Sequence, residues 1–131
     1  MPKNTALLDL DAVIVTETKM TLLPTDAKER KGLPIFTGVL QYFPLAIAEV
    51  AKVSRIGNDQ HNPGQPLHWA RGKSMDQMDT ATRHMVDWIT HKKDTDGAYH
   101  LAKAAWRILA QLQLDLEAER NAYNEVEEDR A

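Results

Sequence analysis

Apolar side chains recur along most of this chain at a helical rather than a strand period. Leu45, Ala46, Val53 and Ile56 fall on one side of a helix turned by about 100° per residue, which predicts a helix over residues 44–56. Pro44 suits the first helical position, where the amide has no intrahelical partner, and Gly57 offers a stop because glycine accepts the left-handed conformation. Met78, Ala81, Met85 and Ile89 line a second helix, expected from Ser74 to about residue 89 or 91. It would open with a capping box in which Ser74 caps and Gln77 reaches back. Ala102, Ala105, Leu109, Leu112 and Leu116 form the seam of a third helix, predicted over about residues 97–119 with Asp94 or Asp96 as its cap.

Elsewhere the pattern weakens. Residues 6–15 fit a strand or a short helix, with Val13-Ile14-Val15 leaning towards strand. Lys28-Glu29-Arg30-Lys31 reads as a charged linker, and the polar, acidic residues 120–131 read as a fraying tail. The first two helices are joined by a loop holding Asn62-Pro63-Gly64 and Gln65-Pro66, both turn formers. The expected organisation is an amino-terminal arm or extra element at 1–36, a helical domain at 37–119 and an acidic tail at 120–131. The fold class is all-α, a small helical bundle completed by oligomerisation.

Composition narrows the function classes. With 131 residues, 43% hydrophobic and 27% charged, the chain suits one globular domain. Its net charge of -3 lacks the basic excess of a duplex nucleic-acid binder. The absence of cysteine removes disulfides, thiol nucleophiles and cysteine zinc sites. No apolar run approaches the roughly 20 residues of a membrane span, and Asp9 and Asp11 interrupt the only apolar stretch near the amino terminus, so an intracellular location is expected.

Candidate chemistry lies mainly between residues 49 and 107. Glu49 shares the apolar side of the first helix, where an ionised carboxylate needs compensation from a metal ion or a cationic partner; pairing with Lys52 is the plain alternative. Asp76, Asp79, Arg83 and Asp87 form one stripe of the second helix, and aspartates at i and i+3 are near enough to share a cation. A solvated helix face would look the same. On the third helix His100, Lys103, Arg107 and Gln111 share a stripe that makes a cationic wall for phosphate if turned inward and a solvated face if turned outward. The loop places Asn58, Gln60, His61, Asn62, His68 and Trp69 close together; amides read a base edge and an indole stacks on it, although a hydrogen-bonded surface loop needs the same residues. His84 and His91, seven apart on one helix, lie too far apart for a shared zinc ion, and no P-loop is present.

Several linked segments resemble a known family. They are Arg30-Lys31-Gly32-Leu33-Pro34-Ile35-Phe36-Thr37-Gly38 running on to Pro44, Gly57-Asn58-Asp59-Gln60-His61-Asn62-Pro63-Gly64, Leu67-His68-Trp69-Ala70-Arg71 and Lys73-Ser74-Met75-Asp76. Arg83-His84, Asp96-Gly97, His100 and Trp106-Arg107 continue the likeness. Together they resemble the phage-type dATP/dGTP diphosphohydrolases, within the MazG-like all-α nucleotide pyrophosphohydrolases. The resemblance implies an oligomeric helical bundle that uses Mg²⁺ or Mn²⁺ to convert dGTP or dATP into the monophosphate and pyrophosphate, in the host cytoplasm if the chain is phage-encoded. It implies Glu49, Asp76 and Asp79 as catalytic metal ligands, with Asp87 as a substitute because Lys52 stands where the superfamily pattern Glu-x-x-Glu has its second glutamate. Lys73, Arg83, Lys103 and Arg107 are the expected phosphate contacts, and Asn58, His61 and Trp69 the expected base or sugar contacts. The competing expectation, carried by Lys52, is a non-catalytic nucleotide-binding or regulatory module.

Overall fold

The structure, a computed structural model, describes residues 22–130, so the strand-or-helix expectation for residues 6–15 lies outside the described residues. The described part is helical, with α1 at Ala27–Lys31, a π-helical turn at Phe36–Leu40, α2 at Pro44–His61, α3 at Gln77–Trp88 and α4 at His100–Arg130. The all-α expectation holds. No helix among the described residues is long and apolar enough to cross a membrane.

The boundaries differ from the sequence reading for local reasons. The charged segment read as a linker forms α1, because the Asp26 carboxylate accepts the Glu29 amide at 3.0 Å as an N-cap. Helix α2 runs through Gly57 to His61. The turn is made further on, where Pro63 cannot continue the helix and Gly64 takes φ 77°. Asn58 seals it, donating from Nδ2 to the carbonyl of Gln65 at 2.8 Å.

The capping box at Ser74 does not form. Asp76 occupies the cap position of α3, and Gln77 turns inward to accept from Arg107 at 3.1 Å. Residues 120–130, expected to fray, continue α4. Helix-forming Glu and Arg are the commonest charged residues there, and pairs one turn apart recur along the helix, such as Gln113 donating to Glu117 at 2.7 Å.

Helices α2 and α3 do not pack on each other; each packs on α4, and α3 makes the more extensive contact. That seam is built from small residues. Ala81, Ala98, Ala102, Ala104 and Ala110 are buried, and no large side chain among the described residues is fully buried. Small residues let two helix backbones approach closely, but they bury little apolar area. Large apolar side chains stand outside instead, among them Leu45 at 83% exposure and Met75 at 89%. Ala81 has no exposure at all, so Ala81→Leu must push α3 off α4. Overpacking of this kind costs about 1–3 kcal/mol, and a thermal melt should show the lowered Tm.

Candidate functional site

The approach of α2, the following loop and α3 to α4 leaves a cavity of about 600 Å³. Its size is that of a small-ligand site. Trp106 anchors one wall. Its indole Nε1 donates to Ser54 of α2 at 2.8 Å, and its ring meets Trp69 edge to face, with centroids 5.8 Å apart and planes at 78°. Trp69 is held in turn by Arg71, whose guanidinium lies 4.3 Å over the ring and donates to both carboxylate oxygens of Glu117 at 2.7 Å. The loop is thereby fixed to α4 by one cation that stacks and pairs at once.

The stripe on α4 faces inward. His100 is buried, Lys103 and Arg107 are half-buried, and both of the latter line the cavity. Lys73 also lines it, as do Asn58, His61 and Trp69. Six of the residues expected to meet base, sugar or phosphate therefore share one concave surface. Arg83 does not: it sits on the exposed side of α3, donating to Thr80 at 2.9 Å and lying 3.6 Å from Asp76.

Two of the cations differ in what is left to bind a ligand. Lys103 donates to Asp94 at 2.8 Å and to Asp96 at 2.7 Å, so its charge is already matched. Arg107 has Gln77 as its hydrogen-bond partner and forms no ion pair among the described residues. Asn58 is buried, its Nδ2 is bonded to the loop, and its Oδ1 has no partner. A buried acceptor left unpaired is costly unless a ligand donor reaches it.

The expected metal ligands do not meet. Glu49 is half-buried and paired with Lys52 at 2.9 Å. Asp76, Asp79 and Asp87 are exposed on α3 and its cap. None of the four lines the cavity, and α2 and α3 are not in contact.

A different ionisable group lies beside the cavity, reaching it through His84, Asp96 and Lys103. Residues 92–99 form a tight hairpin-like turn in which Gly97 takes φ 86° and the Asp94 amide donates to Ala98 at 2.8 Å. Asp94 and Asp96, expected to cap the third helix, instead project to Lys103. His84 of α3 faces His100 of α4 with the two Nδ1 atoms 3.0 Å apart. His84, Asp94 and His100 offer three ligand atoms within 4.8 Å of one another.

Pattern reading compared histidines on one helix and therefore missed this pair, which spans two. The available signal was Asp94-x-Asp96-Gly97 followed by His100 and Lys103, one turn apart, at the start of the next helix.

Hydrogen bonds from Lys103 and from the Thr95 amide hold the Asp94 carboxyl down at about 2. At Asp96 burial alone would raise the value, but hydrogen bonds from Lys103 and the Ala98 amide outweigh it and the net shift is downward. Burial likewise works against the Lys103 charge and is outweighed by its two aspartates, so Lys103 is shifted upward. At His84 burial, then Lys103 and His100, push the imidazole below its usual range, keeping it neutral.

Because Asp94 has a lower pKa folded than its ordinary 3.8, the unfolded chain takes up the proton first on acidification. The resulting stability is present above about pH 4 and is lost as pH falls towards about 2. Urea unfolding free energies in chelator-containing buffer should place Asp94→Asn below the parent by about 1–2 kcal/mol at neutral pH, with the difference vanishing in acid.

Residues 15–124 match the family model described as dATP/dGTP diphosphohydrolase, N-terminal. The match covers most of the chain, which belongs to this family and is a hydrolase of that class. No curated protein and no solved structure matches it.

Proposed function

We propose that this chain hydrolyses dGTP, dATP or both to the nucleoside monophosphate and pyrophosphate, binding the nucleotide in the cavity between α2, the 62–76 loop and α4. The observation that carries this reading is the convergence of Asn58, His61, Trp69, Lys73, Lys103 and Arg107 on that one surface. A purine stacks against Trp69, with Asn58 on the same wall beside its edge. His61 borders the sugar. Lys73 and Arg107 take phosphate oxygens, the guanidinium in a forked geometry that suits them. Lys103 contributes the field of a charge shared with Asp94 and Asp96. Arg83, outside the cavity, reaches phosphate only from the outer face of α3.

The cation proposed for this reaction is Mg²⁺ or Mn²⁺, with Glu49, Asp76, Asp79 and Asp87 as its ligands. The chemistry such an ion supplies is neutralisation of phosphate charge and a more acidic bound water. Within one chain Glu49 does not join the aspartates at a single ion, because it stands on α2, paired with Lys52, while Asp76, Asp79 and Asp87 stand on α3 and its cap, and α2 and α3 do not pack on each other. We therefore infer a homo-oligomer in which another copy brings them together. Exposed Leu45 on α2, Met75 just before α3, and Met78 and Val86 along it give such a copy an apolar surface beside the carboxylates.

Pyrophosphate release from each of the four deoxynucleoside triphosphates with Mn²⁺ tests the reading. Release from the purine nucleotides, abolished in Asp79→Asn with an unchanged helical CD spectrum, is the expected result. No release from either purine nucleotide contradicts the proposed reaction, and near-parental activity in Asp79→Asn removes that residue from it.

A further inference from the structure

We propose that His84, Asp94 and His100 form a within-chain binding site for a divalent transition-metal ion of the imidazole-preferring class, separate from the carboxylates proposed for Mg²⁺ or Mn²⁺. Two imidazole nitrogens and one carboxylate suit zinc-like ions far better than Mg²⁺, which favours oxygen ligands and keeps its waters.

The geometry is close to what such an ion requires. An ion bound at about 2.0–2.1 Å holds tetrahedral ligand atoms roughly 3.3 Å apart. The Nδ1 atoms of His84 and His100 are already 3.0 Å apart, and all three ligand atoms fall within 4.8 Å. Without an ion, two facing Nδ1 atoms must share one proton. With an ion, both lone pairs are used and each ring carries its proton on Nε2.

The scaffold holds these ligands in place from both sides. His100 is only 6% exposed at the first turn of α4, its amide bonded to the Lys92 carbonyl at 3.0 Å. Asp94 sits in the turn made by Gly97, with one carboxylate oxygen accepting the Thr95 amide at 2.7 Å and the other Lys103. A carboxylate has about four lone-pair positions, so these bonds leave room for an ion.

Charge favours it too. Asp94 and Asp96 carry two negative charges against the one positive charge of Lys103, which leaves one uncompensated negative charge beside two imidazoles. Asp87, one turn beyond His84 on α3, adds a further carboxylate whose field reaches that ring. His84 also lines the cavity, so the site borders the proposed nucleotide site.

The inference does not depend on the proposed reaction, because binding is measured without nucleotide. The intact chain, stripped with chelator, is titrated with Co²⁺ and then with Zn²⁺ as competitor. The expected result is one Co²⁺ per chain with the intense visible bands of a low-coordinate nitrogen–oxygen site, displaced by Zn²⁺. His84→Gln and Asp94→Asn should each weaken binding by roughly 10- to 100-fold or more. In the parent protein, nitrogen-detected histidine NMR should show the Nδ1 resonances of both His84 and His100 shifting on Zn²⁺ addition, a readout that needs no variant to fold. Absence of saturable Co²⁺ binding, unmoved histidine resonances, or parental affinity in both variants overturns the site.

Discussion

Arg107→Ala is expected to reduce kcat/KM for the preferred purine deoxynucleoside triphosphate by about 100- to 1000-fold, the loss typical when one donor to developing charge is removed from a desolvated site. Arg107 is half-buried on the cavity wall, held by Gln77 at 3.1 Å, and has no carboxylate partner among the described residues. Its charge is therefore available to a triphosphate, whereas that of Lys103 is already matched twice. Arg107→Lys keeps the charge but loses the planar fork, so an intermediate loss is expected. The same assay on Gln77→Leu separates positioning from charge: the guanidinium remains but loses its anchor, and KM should rise more than kcat falls. An unchanged kcat/KM in Arg107→Ala would move the phosphates elsewhere.

The second large effect is on stability. Arg71→Met breaks a pair in which both side chains are less than one-fifth exposed, at 19% and 16%, and removes the cation stacked on Trp69. Breaking a fully buried pair by removing one partner costs about 3–5 kcal/mol, and partial exposure here lowers the expectation to about 2–4 kcal/mol. Gln113 still donates to Glu117 at 2.7 Å, which limits the loss on that side. Urea denaturation measures it, and Trp69 emission should redden as the loop leaves α4. The double replacement of Arg71 and Glu117 by methionine should recover much of the stability, because it removes the stranded carboxylate. It should not restore nucleotide affinity, since Trp69 would still lack its clamp.

The apolar seam expected on the third helix is not the face that packs: Leu109, Leu112 and Leu116 are exposed, while His100, Ala102, Ala104 and Ala110 are buried, because the close α3–α4 approach admits only small side chains. What the sequence made legible was the helical class and the existence of three long helices. Periodicity captures these because each depends on one helix at a time. Helix ends were read less well. Gly57 looked like a stop, yet no left-handed residue is needed there; the chain turns only where Pro63 and Gly64 force it. Ser74 and Gln77 had the spacing of a capping box, but Gln77 gains more from Arg107 across the α3–α4 seam than from its own helix end. Asp94 and Asp96 were legible as a turn before a helix and not as partners of Lys103, since a side-chain bond across a turn leaves no period in the sequence. Among candidate site residues, those at the end of α2, on the following loop and on α4 could be singled out because their chemistry, aromatic, amide and basic, clusters along the chain, and they line one cavity. The His84–His100 contact joins two helices through a closing turn, and nothing in either helix alone announces it.

The claim on which the rest stands is that the nucleotide occupies the cavity beneath Trp69. A crystal structure with a dGTP analogue carrying a non-hydrolysable α,β bridge tests it most directly. The account predicts the purine against Trp69 with Asn58 beside its edge, and the phosphates between Lys73 and Arg107. A nucleotide bound instead on the outer face of α3, along Asp76, Asp79 and Arg83, with the cavity holding only solvent, would contradict it.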